Sequence, residues 1–155
     1  MAKALDIPGI EPDATFREAA ASAIEVRADE VFAFRDRALD TSDIEGVHDM
    51  RVATRRLRAV MEIFAVCFPK EQHRRALKEV KELADTLGER RDPDVMIDGL
   101  EKVAQSLGPA DRSGIRQLER SLRDEQAEAN ERLAAMLDRI DRYRLREGVI
   151  LEALG

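Results

Sequence analysis

The chain has 155 residues, a single cysteine, and 32 acidic against 26 basic side chains, giving a formal net charge of −6. That length suits one domain with a substantial core. The lone Cys67 excludes an intramolecular disulfide and a cysteine-based metal cluster, and the acidic balance argues against a general nucleic-acid coat.

Five Phe, one Tyr and no Trp, set among many Leu, Ala, Glu and Arg, favour helices over a β-sandwich. The opening MAKALDIPGIEPDA has no continuous apolar run, and no segment approaches 18 uncharged apolar residues. A cytoplasmic protein without membrane insertion is expected. Residues 1–12, with Pro8, Gly9 and Pro12, read as an irregular arm, and residues 13–155 as a single helical domain.

A first helix is expected from Thr15, which forms a capping box with Glu18, to about Leu39. Asp40 to Asp43 make a turn, and Ser42 with Glu45 reads as a second capping box opening a helix that runs to about Phe68. Pro69 suits the first turn of a third helix, which Gly88 would cap. Asp92 and Pro93 read as N-cap and first residue of a fourth helix reaching about Leu107. Gly108-Pro109 breaks the chain before a long segment with helical period from Ile115 to Ile140. A bend near Asp138 to Asp141 and a short helix through Tyr143, Val149, Ile150 and Leu154 complete the reading. No strand pattern occurs. The expected fold is all-α: an antiparallel helical bundle, a four-helix core plus a C-terminal helix.

The segment VHDMRVATRRLR, Val47 to Arg58, stands out. At about 100° per residue, His48, Arg51, Arg55 and Arg58 fall within an arc of about 80°. Met50, Ala53, Leu57, Val60, Met61, Phe64 and Phe68 gather on the far side. Like charges three and four residues apart repel by a few tenths of a kcal/mol per pair. Asp49 is the sole acid within the stripe, with Glu62 one turn beyond Arg58, so a polyanion is the expected counterpart. Further basic positions are Arg74, Lys78 and Lys81 on the third helix, and Arg112, Arg116, Arg120 and Arg123 on the long one. Arg90 and Arg91 lie beside the expected helix start at Asp92, where free N–H groups favour anions. Arginine's planar fork suits phosphate because it donates two parallel, charge-assisted bonds.

The segment VHDMRVATRRLRAVMEIFAVCFP resembles the hallmark helix of the CHAD family, the conserved histidine α-helical domain. LADTLGERRDPDVMIDGL resembles that family's second signature through Leu87, Gly88, Arg91, Asp92, Asp94 and Val95, and LDRIDRYRL resembles its ending. The resemblance implies an inorganic-polyphosphate-binding module, with His48, Arg51, Arg55, Arg56 and Arg58 from the first motif and Lys78, Lys81 and Arg91 from the second region. Arg74 and Arg90 join this set from the basic constellation. Asp92 and Asp94 read as capping and arginine-orienting residues. Members usually carry two such bundles about a pseudo-twofold axis, each with its own histidine–arginine helix. One motif here implies half of that unit, and a homodimer that rebuilds the channel. Residence at polyphosphate granules is part of the same expectation. The alternative is a scaffold module whose arginine face docks acidic proteins or anionic granule surfaces.

Catalytic and metal readings are weaker. Glu45 and His48 match the Glu-x-x-His spacing of di-iron bundles, but those need the pair twice, so no metal or other cofactor is expected. His48 has no nucleophile partner, and neither a Glu-x-Glu-x-Lys motif nor a phosphate-binding glycine loop occurs. Cys67 reads as a small buried hydrophobe. A non-enzyme is expected.

Overall fold

The computed structural model describes residues 2–142. Among the described residues every regular element is helical: α1 Phe16–Ala33, α2 Arg35–Leu39, α3 Ile44–Ile63, a 3₁₀ turn Ala65–Cys67, α4 Lys70–Gln105 and α5 Arg112–Arg142. Helix α3 packs between α1 and α4, α4 pairs with α5, and the short α2 leans on α3 and touches α5. The all-helical bundle is as the sequence implies. The expected helix from Tyr143 to Leu154, and the end of the third signature, lie outside the described residues.

One core joins these helices. Ile24 and Val31 of α1, Ala38 of α2, and Val47, Met50, Ala53, Leu57 and Met61 of α3 meet Val80, Leu83 and Leu87 of α4. Leu133, Leu137 and Ile140 of α5 close it. Each buried Leu, Ile or Met contributes about 1.5–3 kcal/mol relative to exposure. The apolar side of the arginine helix is thus consumed by the core, and its cationic side is left outside.

Several boundaries differ from expectation. The capping box of Thr15 and Glu18 forms as read, but the first helix breaks at Phe34 and resumes as α2. Asp43, not Ser42, caps α3: its Oδ1 accepts the N–H groups of Glu45 and Gly46 at 3.1 Å each. Ser42 instead turns back to Asp40. Helix α3 stops at Ile63, and half-buried Cys67 lies on the 3₁₀ turn rather than in the core. Pro69 stands just ahead of α4 as its N-cap.

The largest difference is α4. Gly88, Asp92 and Pro93, read as a cap and a new start, lie inside one 36-residue helix. A proline there removes a backbone bond and costs about 3 kcal/mol in an exposed helix. Pro93 is buried instead, and Leu87, Arg90, Asp94 and Ile97 carry a buried face straight through it. The tertiary contacts along that face outweigh the local break. Gly108-Pro109 does separate α4 from α5, and α5 stays helical through Asp138 to Asp141.

Gly46 lets α2 approach α3. A Cβ at this position would lie 2.2 Å from the Arg37 carbonyl oxygen and 2.9 Å from the Ala38 nitrogen. The approach brings Arg37 onto the start of α3, where its Nε donates to Asp43 at 2.9 Å and its Nη1 to Asp49 at 3.3 Å. The N-terminal arm is fastened nearby. The Ala2 amide donates to Asp49 at 2.8 Å, and the Ala2 carbonyl accepts from Arg56 at 2.9 Å.

Candidate functional site

On the outer side of α3, a groove of about 330 Å³ runs along the seam with α4. Its lining is His48, Arg51, Val52, Arg55 and Arg58 of α3, with Ala84 of α4 opposite. The spacing of three and four residues places these four polar side chains on one helical stripe. The small Ala84 keeps the α4 wall low. Among the described residues, Arg51 and Arg55 make no ion pair and no protein hydrogen bond, and both are exposed. Two guanidinium groups one turn apart therefore face solvent with their donors free.

The far end of the groove is different. Arg58 donates through Nε to Glu62 at 3.0 Å, and Lys81 of α4 places its Nζ 3.9 Å from the same carboxylate. The hydrogen bond from Arg58 holds the Glu62 carboxyl below the usual glutamate range, and the Arg58, Lys81 and His73 charges act in the same direction. Lys81 therefore stands at the end of the arginine stripe across the helix seam, with Glu62 as the link.

Other candidates are engaged elsewhere. Arg56 turns to the arm through the Ala2 carbonyl. Arg91 donates to the Ile44 carbonyl at 2.8 Å. Arg74 makes two bonds of 2.8 Å to Glu71, which also pairs with Arg75 at 3.5 Å. Lys78 lies 3.8 Å from Glu82. Pairs this exposed contribute about 0–1 kcal/mol each, so a stronger anion can displace them. On α5, Arg123 bridges Glu101 and Glu119, and Arg112 donates to the Leu107 carbonyl. That stripe is partly consumed by the α4–α5 hairpin.

Arg90 is a correction. It is 0% exposed and cannot meet an anion in solvent. Since α4 runs through Asp92, the helix start that would have made Arg90 an anion contact does not exist. Its Nη1 donates to Asp94 and its Nε to Asn130 at 3.0 Å. Gln126 donates to the same Asp94 oxygen at 2.6 Å, and Asn130 donates to the Leu39 carbonyl at 3.0 Å. This buried network ties α4 and α5 to the connection that leads into α3. The spacing of four in Arg90–Asp94 and Gln126–Asn130, on faces otherwise apolar, is the signal that could have identified it.

Glu45, His48 and Asp49 bring one ligand-type atom each within 4.8 Å of one another. Asp49 is buried, and its two oxygens already accept from the Ala2 amide and from Arg37. Those bonds compete with any cation there. His48 is half-buried at the groove's N-terminal end, beside Arg51. The site as built offers positive charge and N–H donors along a line. None of the described helices is long and apolar enough to cross a membrane.

The family model described as "CHAD domain" matches residues 22–149. The "Uncharacterized protein Rv2226" of Mycobacterium tuberculosis strain H37Rv is 34% identical over 74 residues, which is 48% of this chain and 14% of that protein. "Uncharacterized protein MT2285" of the Oshkosh strain is 32% identical over the same proportions. The match thus spans about a seventh of these relatives' length. No solved structure matches the chain.

Proposed function

The chain belongs to the CHAD domain family, and on that premise we propose that it binds inorganic polyphosphate, without catalysis, along the outer groove of α3. The family is linked in general to polyphosphate binding. The observation that carries the reading is that Arg51 and Arg55 face solvent with no counter-ion among the described residues, in line with His48 and Arg58. Like charges at this spacing are costly for a helix. A phosphate chain laid along the groove offsets that cost at several positions at once. Each guanidinium fork meets two oxygens, and His48 donates one further bond.

In this reading Arg51 and Arg55 form the centre, His48 and Arg58 the two ends, and Lys81 the contribution of α4. Arg74 and Lys78, on the preceding turns of α4, extend the basic surface once their glutamates are displaced. Arg56 and Arg91 support the groove through the arm and the start of α3. Residence at polyphosphate granules, and pairing of two copies so that two grooves face one channel, belong to the same proposal.

Binding is electrostatic, so affinity falls as salt rises, as for other phosphate polymers. The test is the double variant Arg51→Glu/Arg55→Glu. Both side chains point away from the core, so the bundle stays folded by circular dichroism while long-chain polyphosphate binding is lost. Wild-type affinity in that variant overturns the site. Competition with orthophosphate, ATP and single-stranded RNA at physiological salt separates the readings. Preference for the long chain supports polyphosphate, and equal competition supports a scaffold face for acidic partners. Sedimentation that gives only monomer, with full affinity, overturns the dimer.

A further inference from the structure

The polyphosphate reading leaves Glu62 unexplained. It is an exposed acid at the end of a cationic stripe, and it serves two cations from two helices. Its Oε1 accepts from Arg58 Nε at 3.0 Å and stands 3.9 Å from Lys81 Nζ. Arg51 and Arg55, on the preceding turns, have no such partner among the described residues. One half of the groove is therefore open to anions in the free protein, and the other half is occupied by the protein's own carboxylate.

We propose that Glu62 is a built-in competitor for the far end of the groove, one that a polyphosphate chain displaces only when it is already held on Arg51 and Arg55. This rests on the polyphosphate reading and adds to it a far-end contact that only a long chain makes, at the cost of displacing Glu62. The open half spans Arg51 to Arg55, about 6 Å along the helix, and reaching Arg58 requires about 10 Å. A short phosphate settles on the open half and leaves Glu62 in place. A longer chain presents its next phosphates to Arg58 and Lys81 as an intramolecular event, at an effective concentration that a free anion in dilute solution does not reach. Displacement then exchanges one weak, solvent-exposed carboxylate for several phosphate oxygens. Glu62 thus withholds two cations from short anions and yields them to long ones.

Glu62→Gln tests this, because it keeps the side chain's shape and removes its charge. Orthophosphate, tripolyphosphate and long-chain polyphosphate are titrated against wild type and variant at several salt concentrations. The long chain binds E62Q roughly three- to fivefold more tightly, the size of a released surface pair. The slope of log affinity against log salt stays the same, because the long chain already reaches Arg58 and Lys81 in wild type. Orthophosphate affinity stays within twofold. Adding Arg58→Gln and Lys81→Gln to E62Q removes the gain. An equal gain for orthophosphate and the long chain overturns the proposal, since it would mark a diffuse charge effect. No gain for the long chain overturns it as well. If wild type binds no polyphosphate, the function itself falls. If Arg51→Glu/Arg55→Glu abolishes binding while E62Q changes nothing, only the role of Glu62 falls.

Discussion

Arg91 Nη1 donates to the Ile44 carbonyl at 2.8 Å, joining the middle of α4 to the first residue of α3. A side chain that sequence alone would offer to phosphate is spent on holding the arginine helix in place. Arg91→Ala should therefore destabilise the fold by about 1–2 kcal/mol. It should weaken long-chain polyphosphate binding less than Arg51→Ala does. Urea unfolding beside a binding titration checks both, and the reverse order of affinities would make Arg91 a direct contact.

Arg90 and Asp94, both 0% exposed, form the centre of the buried network. Removing one partner strands the other's charge, so Asp94→Ala should cost about 3–5 kcal/mol. The double variant Arg90→Met/Asp94→Leu removes both charges together and should cost clearly less. Denaturant midpoints for the single and double variants measure the difference.

Gly46→Ala should be among the most damaging single-methyl changes in this protein. The new Cβ would meet backbone atoms of Arg37 and Ala38 rather than a movable side chain. Overpacking of this kind costs about 1–3 kcal/mol. Thermal unfolding gives the magnitude. Ala at Gly99, which has open space around its Cβ position, should be neutral or slightly stabilising in the helix.

The cap of α3 predicts an acid limit to stability. Arg37 donates to Asp43, and with the Gly46 and Glu45 amides it holds the Asp43 carboxyl below the ordinary aspartate value. A depressed carboxylate contributes stability that is present above its unfolded value, near 3.9, and is lost as pH falls through the lower folded value. Glu18, held low by the Thr15 backbone and hydroxyl, acts in the same direction near its own unfolded value of about 4.3. The urea midpoint should therefore be flat from pH 7 to about 5 and fall below about 4. Asp43→Asn should flatten that fall.

Legibility in the sequence followed the range of the forces involved. The cationic stripe of α3 was visible because period and composition belong to one helix, and His48, Arg51, Arg55 and Arg58 do line one groove. Thr15 and Glu18 were legible for the same reason, three residues apart in one turn. Gly88 and Pro93 misled because their effect is local, whereas the contacts that carry α4 past them reach α5, some 30 to 40 positions along the chain. Arg90 misled with them: its partner Asn130 is 40 residues away, and burial of an arginine leaves no mark in composition. Gly46 gave no signal, because its need for a missing Cβ arises from α2 folding against it.

The unbroken α4 has a consequence for motion. At 1.5 Å per residue its 36 residues span about 54 Å, against about 30 Å for the 20 residues of α3. Its last buried residue is Ile97, and α5 has none before Leu122. The tip of the hairpin is thus a two-stranded zipper with few teeth, and Met96, Val103 and Leu118 lie half open to water along it. Amide hydrogens should exchange with solvent fastest near Ser106 and slowest near Leu87, with the cost of opening rising steadily between them. A protease should find the Gly108-Pro109 turn before any other bond between α3 and α5. The groove sits at the protected end of that gradient, where the helix that forms its wall is least able to open.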